Sequence, residues 1–288
     1  MRWGVYDRIA VASGNYVMTT PLERHVAWYP GHMAKALRRI RELLRSIDVA
    51  IEIVDARIPR SGRNPALDDL LGRRARIVVL DREDLADPAV TARWLAHFEA
   101  TGMTALAVDG RRTGSVARVA TLISRSAPQG RAAGASRAMI LGIPNSGKST
   151  IVNALLRRTA AKAEDRAGVT RSLQWFRLSA GVELLDTPGV LPPKIAGANA
   201  QWRLALCGAV PSERYDPQEV AARFHQWLTQ RTSANAVPDL TAFAAHRGFL
   251  RRGGEPDYHN AATAYLRAFN EGTFGRISLE DPDDAQAA

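Results

Sequence analysis

The chain has 288 residues, 46% of them hydrophobic, and its 39 lysines and arginines against 29 aspartates and glutamates give a formal net charge of +10. That length carries one large or two modest domains with a real core, and no apolar run approaches the roughly 18 residues of a membrane span. The single Cys207 excludes an internal disulfide framework and suits a reducing cytoplasm, while the arginine-borne charge points to a polyanionic partner, nucleic acid before membrane.

Residues 1–25 lack the continuous apolar core of a signal peptide, and Met18 is an alternative start. Trp28-Tyr-Pro-Gly-His-Met-Ala-Lys35 reads as an aromatic turn entering a basic helix over 33–46, with Arg38, Arg39, Arg41 and Arg45 on its polar side. Strands are expected at 49–54 and 76–80, the first ending in Asp55-Ala-Arg-Ile-Pro59, the second in Asp81-Arg-Glu-Asp84. The first cluster, with Ser61, Arg63, Asn64 and Pro65, is either a ligand site at a strand's C-terminal end or a capped loop with solvated charges. A helix at 88–99, a strand at 104–108, a helix at 114–125 and a Gly/Pro linker at 126–136 follow.

The next strand, 137–142, runs into Gly142-Ile-Pro-Asn-Ser-Gly-Lys-Ser-Thr150, which fits G-x-x-x-x-G-K-[ST] between a strand and a helix. Such a loop turns backbone N–H groups inward around phosphates at a helix N-terminus. Pro144, Asn145, Ser146, Gly147 and Thr150 belong to the cradle. Lys148 reaches the β- and γ-phosphates and Ser149 ligates Mg²⁺. Leu156–Val169 reads as a mobile loop holding few apolar anchors. A strand pair at 175–178 and 182–185 ends in Asp186-Thr-Pro-Gly189. Asp186 stands near Mg²⁺, the Gly189 N–H bonds the γ-phosphate, and Thr170 completes the metal's coordination when the triphosphate is present. From about 197 the chain is helical, near 199–208, 217–230, 238–246 and 259–270, and residues 281–288 read as a frayed end.

A guanine reader has the form Asn/Thr-Lys-x-Asp after a strand. Nothing after Gly189 fits, but Asp81-Arg-Glu-Asp84 does by context, so the reader precedes the phosphate loop. That order, together with Trp28–Lys35, Asp55-Ala-Arg-Ile-Pro59, Arg63-Asn-Pro65, Asp186-Thr-Pro-Gly-Val190, Gly248-Phe-Leu250 and Phe274-Gly-Arg-Ile-Ser278, resembles the circularly permuted GTPases. The resemblance is to the bacterial ribosome biogenesis GTPase A family, with its mitochondrial relatives, from about Val26 to Pro282.

The resemblance implies an α/β fold: a permuted P-loop GTPase domain over 26–196 on a doubly wound, mostly parallel sheet. An all-α RNA- and ribosome-binding domain over 197–282 would follow, between an N-terminal extension (1–25) and a tail (283–288). It implies GTP hydrolysis on the immature large ribosomal subunit, with rRNA and ribosomal proteins as partners and a monomer off the ribosome. It also implies that His32 positions or activates water where Val190 replaces the usual glutamine, and that Asn145 serves a K⁺ site.

Two departures stand out. Asp81 replaces the reader's asparagine and Arg82 its lysine. An ionised Asp81 only accepts hydrogen bonds and would face guanine's acceptor edge, so base recognition is expected to be weakened or altered. Arg82 can lay its stem over the base, and Asp84 keeps most of the discrimination. An RNA-binding scaffold with a vestigial nucleotide site, or a GTPase in RNA modification or stress control, stay open on the residues alone.

Overall fold

The computed structural model describes residues 31–72, 74–126, 136–159, 173–178, 182–192, 195, 197–231 and 237–284. Among them the first half alternates helix and strand. Helix α1 (Gly31–Leu43) leads through a short 3₁₀ turn to strand β1 (Val49–Asp55), followed by α2 (Pro65–Leu71), β2 (Ala75–Asp81), α3 (Pro88–Ala100), β3 (Thr104–Ala107) and α4 (Thr113–Ser126). Strand β4 (Ser136–Leu141), α5 (Lys148–Thr159), β5 (Gln174–Leu178) and β6 (Val182–Asp186) complete the sheet unit. Four helices close the chain: α6 (Ala198–Leu206), α7 (Pro217–Arg231), α8 (Leu240–Arg247) and α9 (Tyr258–Asn270).

Local chemistry sets several of these boundaries. Asp87 caps α3 by accepting from Ala89 N and Val90 N, with Pro88 in the first turn. Asp239 does the same for α8, which ends at Gly248 in the left-handed conformation (φ 72°). Helix α2 was not expected from the sequence. It is only 7 residues long, yet it carries both start signals, Asn64 as cap and Pro65 at its first position. Helix α5 extends to Thr159, beyond the expected start of a mobile loop at Leu156.

The sheet has strand order β3-β2-β1-β4-β6-β5, parallel except for β5, which runs antiparallel to β6. Strand β1 is buried along its whole length, as a central parallel strand covered on both faces must be. On one face Ile51, Ile53, Ile77, Val79, Ala138 and Ile140 pack with α4 and α5 residues such as Val116, Val119 and Ile151. On the other, Ala50, Met139 and Leu185 join α1, α2 and the C-terminal helices in one continuous core. The fold is thus the permuted, doubly wound sheet with helices appended, and the helical unit is fused to the sheet face rather than tethered beside it.

Residues 276–284 return to the sheet unit. Ile277 N donates to Leu85 O at 2.9 Å, Leu279 N to Arg57 O at 2.8 Å, and Arg276 donates to the Ala86 carbonyl. Glu280 is buried and accepts from the backbone N–H groups of Arg60 and Ser61. Asp281 pairs with Arg93 and Asp284 with Arg231, so residues 281–284 are tied down where a frayed end was expected. Paired carboxylates, invisible in a local pattern, hold them.

Candidate functional site

Strand order reverses between β1 and β4, and the site forms where their C-terminal ends meet, as in open α/β sheets generally. Asp55 and Asp81, the last residues of β1 and β2, lie opposite each other in register. The loop from Gly142 follows β4 directly.

That loop is built around close backbone approaches. A Cβ on Gly142 would lie 2.4 Å from Ile53 O, and one on Gly147 (φ 100°) would lie 1.8 Å from an Asp81 carboxylate oxygen. Gly189 closes the loop from the far side, where a Cβ would sit 2.7 Å from the backbone of Pro144. Val190 N donates to Gly142 O at 3.1 Å. The Asn64 amide donates to Val190 O at 3.0 Å. Asn64 therefore caps α2 and pins the segment after Asp186 at once, a role the sequence did not disclose.

Lys148 starts α5, is buried, and donates from Nζ to Ile143 O at 2.6 Å. Burial lowers its ammonium pKa to about 8, opposed by the Asp186 charge. Asp186, at the end of β6, is buried as well, and Ser149 follows Lys148 in the first turn of α5. The hydroxyl of Ser146 is buried without a hydrogen-bond partner, an orphan that a phosphate oxygen would satisfy. Ser149 and Asp186 supply hard oxygen donors of the kind Mg²⁺ takes alongside substrate phosphates and water. Among the described residues no group of three or more His, Cys, Asp or Glu gathers into an all-protein metal cage. The residues thus fit a phosphate-bound Mg²⁺. Thr170 lies outside the described residues. His32 falls in the first turn of α1, and its side chain too lies outside them.

The reader departs from its expected picture in one way. The Asp81 carboxylate is buried and turned toward the phosphate loop, resting against Gly147, and it accepts from Gly110 N at 2.8 Å. It thereby gains a donor that the sequence reading lacked, from the loop after β3. Burial still raises its pKa to about 6, against the pull of its backbone donors at Arg82 and Gly110 and of the Arg82 charge. Arg82 adopts a left-handed backbone (φ 62°) and reaches across to Asn145 O at 3.0 Å and Asp55 at 3.2 Å. Asp84 is exposed at the reader's end.

The Asp55-Ala-Arg57 cluster is no solvated loop. Arg57 is buried and grips Asp55 with two side-chain hydrogen bonds of 2.9 and 2.7 Å. Burial pushes the Asp55 carboxyl up, but the charges of Arg57 and Arg82 and the Arg57 hydrogen bonds outweigh it and hold the group below its ordinary value.

Asp81 allows a direct test. Its folded pKa lies above the ordinary 3.8, so between those values the folded protein holds the proton more firmly than the unfolded chain. Stability therefore falls as pH rises through that window, and the buried charge costs about 3 kcal/mol at neutral pH. Asp81→Asn keeps an oxygen for Gly110 and removes the charge. It is expected to raise the thermal midpoint near neutral pH and leave it unchanged only below the ordinary 3.8. Equal shifts at both pH values in a melting experiment would refute this account.

Comparisons with known proteins agree with this geometry. Residues 137–224 match the family described as 50S ribosome-binding GTPase. The ribosome biogenesis GTPase A of Priestia megaterium is 38% identical over 91% of this chain and 98% of that protein. The mouse mitochondrial ribosome-associated GTPase 1 is 32% identical over 90% of this chain and 92% of its own length. A GDP-bound structure of Thermotoga maritima YlqF is similar with a TM-score of 0.69 at 30% identity, covering 86% of this chain and all of that one. On identity sustained over nearly the whole length of both proteins, the chain belongs to the ribosome biogenesis GTPase A family and is a GTPase.

Proposed function

We propose that this GTPase binds an immature large ribosomal subunit in its GTP state and leaves after hydrolysis, acting in the cytoplasm as a monomer when off the particle. The observation that carries the reading is the single core joining the sheet face to the C-terminal helices. A particle seated on those helices would grip a rigid extension of the nucleotide site. The matched family description names the 50S subunit, and a net charge of +10 suits rRNA.

Two arginine groups are candidates for that contact. Arg38, Arg39, Arg41 and Arg45 are exposed along α1 and its 3₁₀ extension, while Arg247, Arg251 and Arg252 flank the exposed Leu250 between α8 and α9. In this reading Lys148 and the loop amides hold the phosphates, and Ser149, Asp186 and Thr170 would hold Mg²⁺, which when bound would supply positive charge beside the phosphates. Asn145 serves a K⁺ site, and His32 orients the attacking water because the side chain of Val190 has no hydrogen-bonding group.

The test is GTP turnover and co-sedimentation with precursor large subunits over a salt series. Binding should weaken steeply with salt, and particles should stimulate hydrolysis. His32→Ala should bind normally yet lose about 10²-fold or more of the stimulated rate. Salt-insensitive binding without stimulation would leave an assembly switch without support.

A further inference from the structure

Among the described residues only Arg82 (φ 62°) and Asn145 (φ 56°) are non-glycine residues with a left-handed backbone. Such conformations cost energy and persist where surrounding contacts over-determine them. These two are bonded to each other, through Arg82 Nη2 and Asn145 O at 3.0 Å. Asn145 is held a second time, because its Nδ2 donates to Gly208 O at 2.6 Å. Gly208 belongs to the helical unit. It ends α6 in the left-handed conformation (φ 76°), with Gly208 N on Ala205 O and Ala209 N on Leu204 O. That reversal is what presents its carbonyl to the phosphate loop.

The contact closes a ring. Arg82 Nη1 donates to Asp55 at 3.2 Å and Asp55 is gripped by Arg57. Arg57 Nη2 donates to Asn270 Oδ1 at 3.0 Å, and Asn270, the last residue of α9, donates from Nδ2 to Leu206 O at 2.7 Å. Leu206 lies two residues before Gly208. The Arg57 guanidinium also stacks 4.7 Å from the Phe269 ring centroid. Starting at the phosphate loop, the bonds pass through the reader, the end of β1, α9 and α6, and return to the same asparagine.

We propose that the α6–α9 unit is a positioning element of the nucleotide site: the Gly208 carbonyl, kept in place by Asn270, fixes Asn145 and with it the phosphate loop, so that a load on the helices alters nucleotide release. The proposal rests on the phosphate-loop assignment and needs nothing of the assembly role. By linkage, nucleotide in the loop must bias the helices to the same extent.

Gly208 supplies the test because a Cβ there would meet no atom within 4 Å, so only its backbone conformation is at stake. Gly208→Val, whose branched side chain resists that conformation, should swing the carbonyl away. Gly208→Asn tolerates it. With the full-length protein and a fluorescent GDP, Gly208→Val should release nucleotide about tenfold faster, and Gly208→Asn should stay near wild type. In an Asn145→Ala background the Gly208→Val effect should vanish, as expected of residues acting through one contact. Release unchanged in Gly208→Val, or an effect undiminished by Asn145→Ala, overturns the proposal. Should Gly208→Val not fold, Arg82→Met reports from the other side, at a side chain 28% exposed. Amide exchange at Leu206–Ala209 should then quicken several-fold, and an unaltered rate overturns the proposal. Because no ribosome is present, failure here leaves the assembly reading untouched.

Discussion

Lys148→Ala is expected to abolish GTP binding at ordinary concentrations while leaving the fold standing. Its ammonium is buried against Ile143 O and beside Asp186, and burial lowers its pKa to about 8. A buried cation with so little compensation adds nothing to folding, so its loss should not lower the melting temperature. In the proposed complex it would face the β- and γ-phosphates. Charge-assisted hydrogen bonds are worth roughly 1.5–3 kcal/mol each, and two of them set the loss at about 10²–10⁴-fold. The pH dependence has a definite sign. Below pH 8 the empty site already carries the proton that the phosphates require. Above it, binding must take a proton up, so wild-type affinity should fall by up to tenfold per pH unit, and Lys148→Ala should lack that slope. Calorimetric titration with a non-hydrolysable GTP analogue over pH 7–9, beside melting curves, measures both effects. Wild-type affinity in a folded variant would contradict the loop's assignment.

The phosphate loop and the order of motifs were legible because each is local. A glycine pattern between a strand and a helix needs no tertiary information, and Asp186-Thr-Pro-Gly189 at a strand end is read in the same way. The strands of the parallel sheet were legible too, as short apolar runs. What the sequence concealed is long-range. Asp81 looked like a bare acceptor because its donor, Gly110, belongs to the loop of another strand. The Asp55–Arg57 pair read equally well as solvated, since its burial under Asn270 and Phe269 depends on residues more than 200 positions away. Gly208 carried no local signal beyond that of a helix-ending glycine. Asp281–Asp284 looked free because their arginine partners lie on α3 and α7. Helix α2 is a different case: its cap and proline were present in the sequence, but its length sits at the lower limit of what periodicity resolves.

The reader itself separates two kinds of work. Its first residues are committed to the protein, Asp81 to Gly110 and Gly147, Arg82 to Asn145 and Asp55. Its turn is clamped from two sides, by Glu83 N on Val108 O at 3.1 Å and by Ile277 N on Leu85 O at 2.9 Å. Asp84 is exposed between these clamps, so its backbone is fixed while its carboxylate is open to solvent. A carboxylate so held can accept from the guanine N1–H and 2-amino group together, and adenine offers neither donor. Asp84→Ala should therefore lower the ratio of GTP to ATP affinity by about 10²–10³-fold, the equivalent of roughly 3–4 kcal/mol for two charge-assisted bonds. As a surface substitution it should shift stability by no more than about 0.5 kcal/mol. Asp84→Asn adds a sharper outcome: its amide can donate to the 2-oxo group of xanthine, so preference should move from GTP to XTP while ATP binding stays as weak as before. Competition binding with the three nucleotides decides the matter. If Asp84→Ala keeps the wild-type ratio, discrimination lies elsewhere, and the loop of Asp109 and Gly110 beside the reader is the next place to cut.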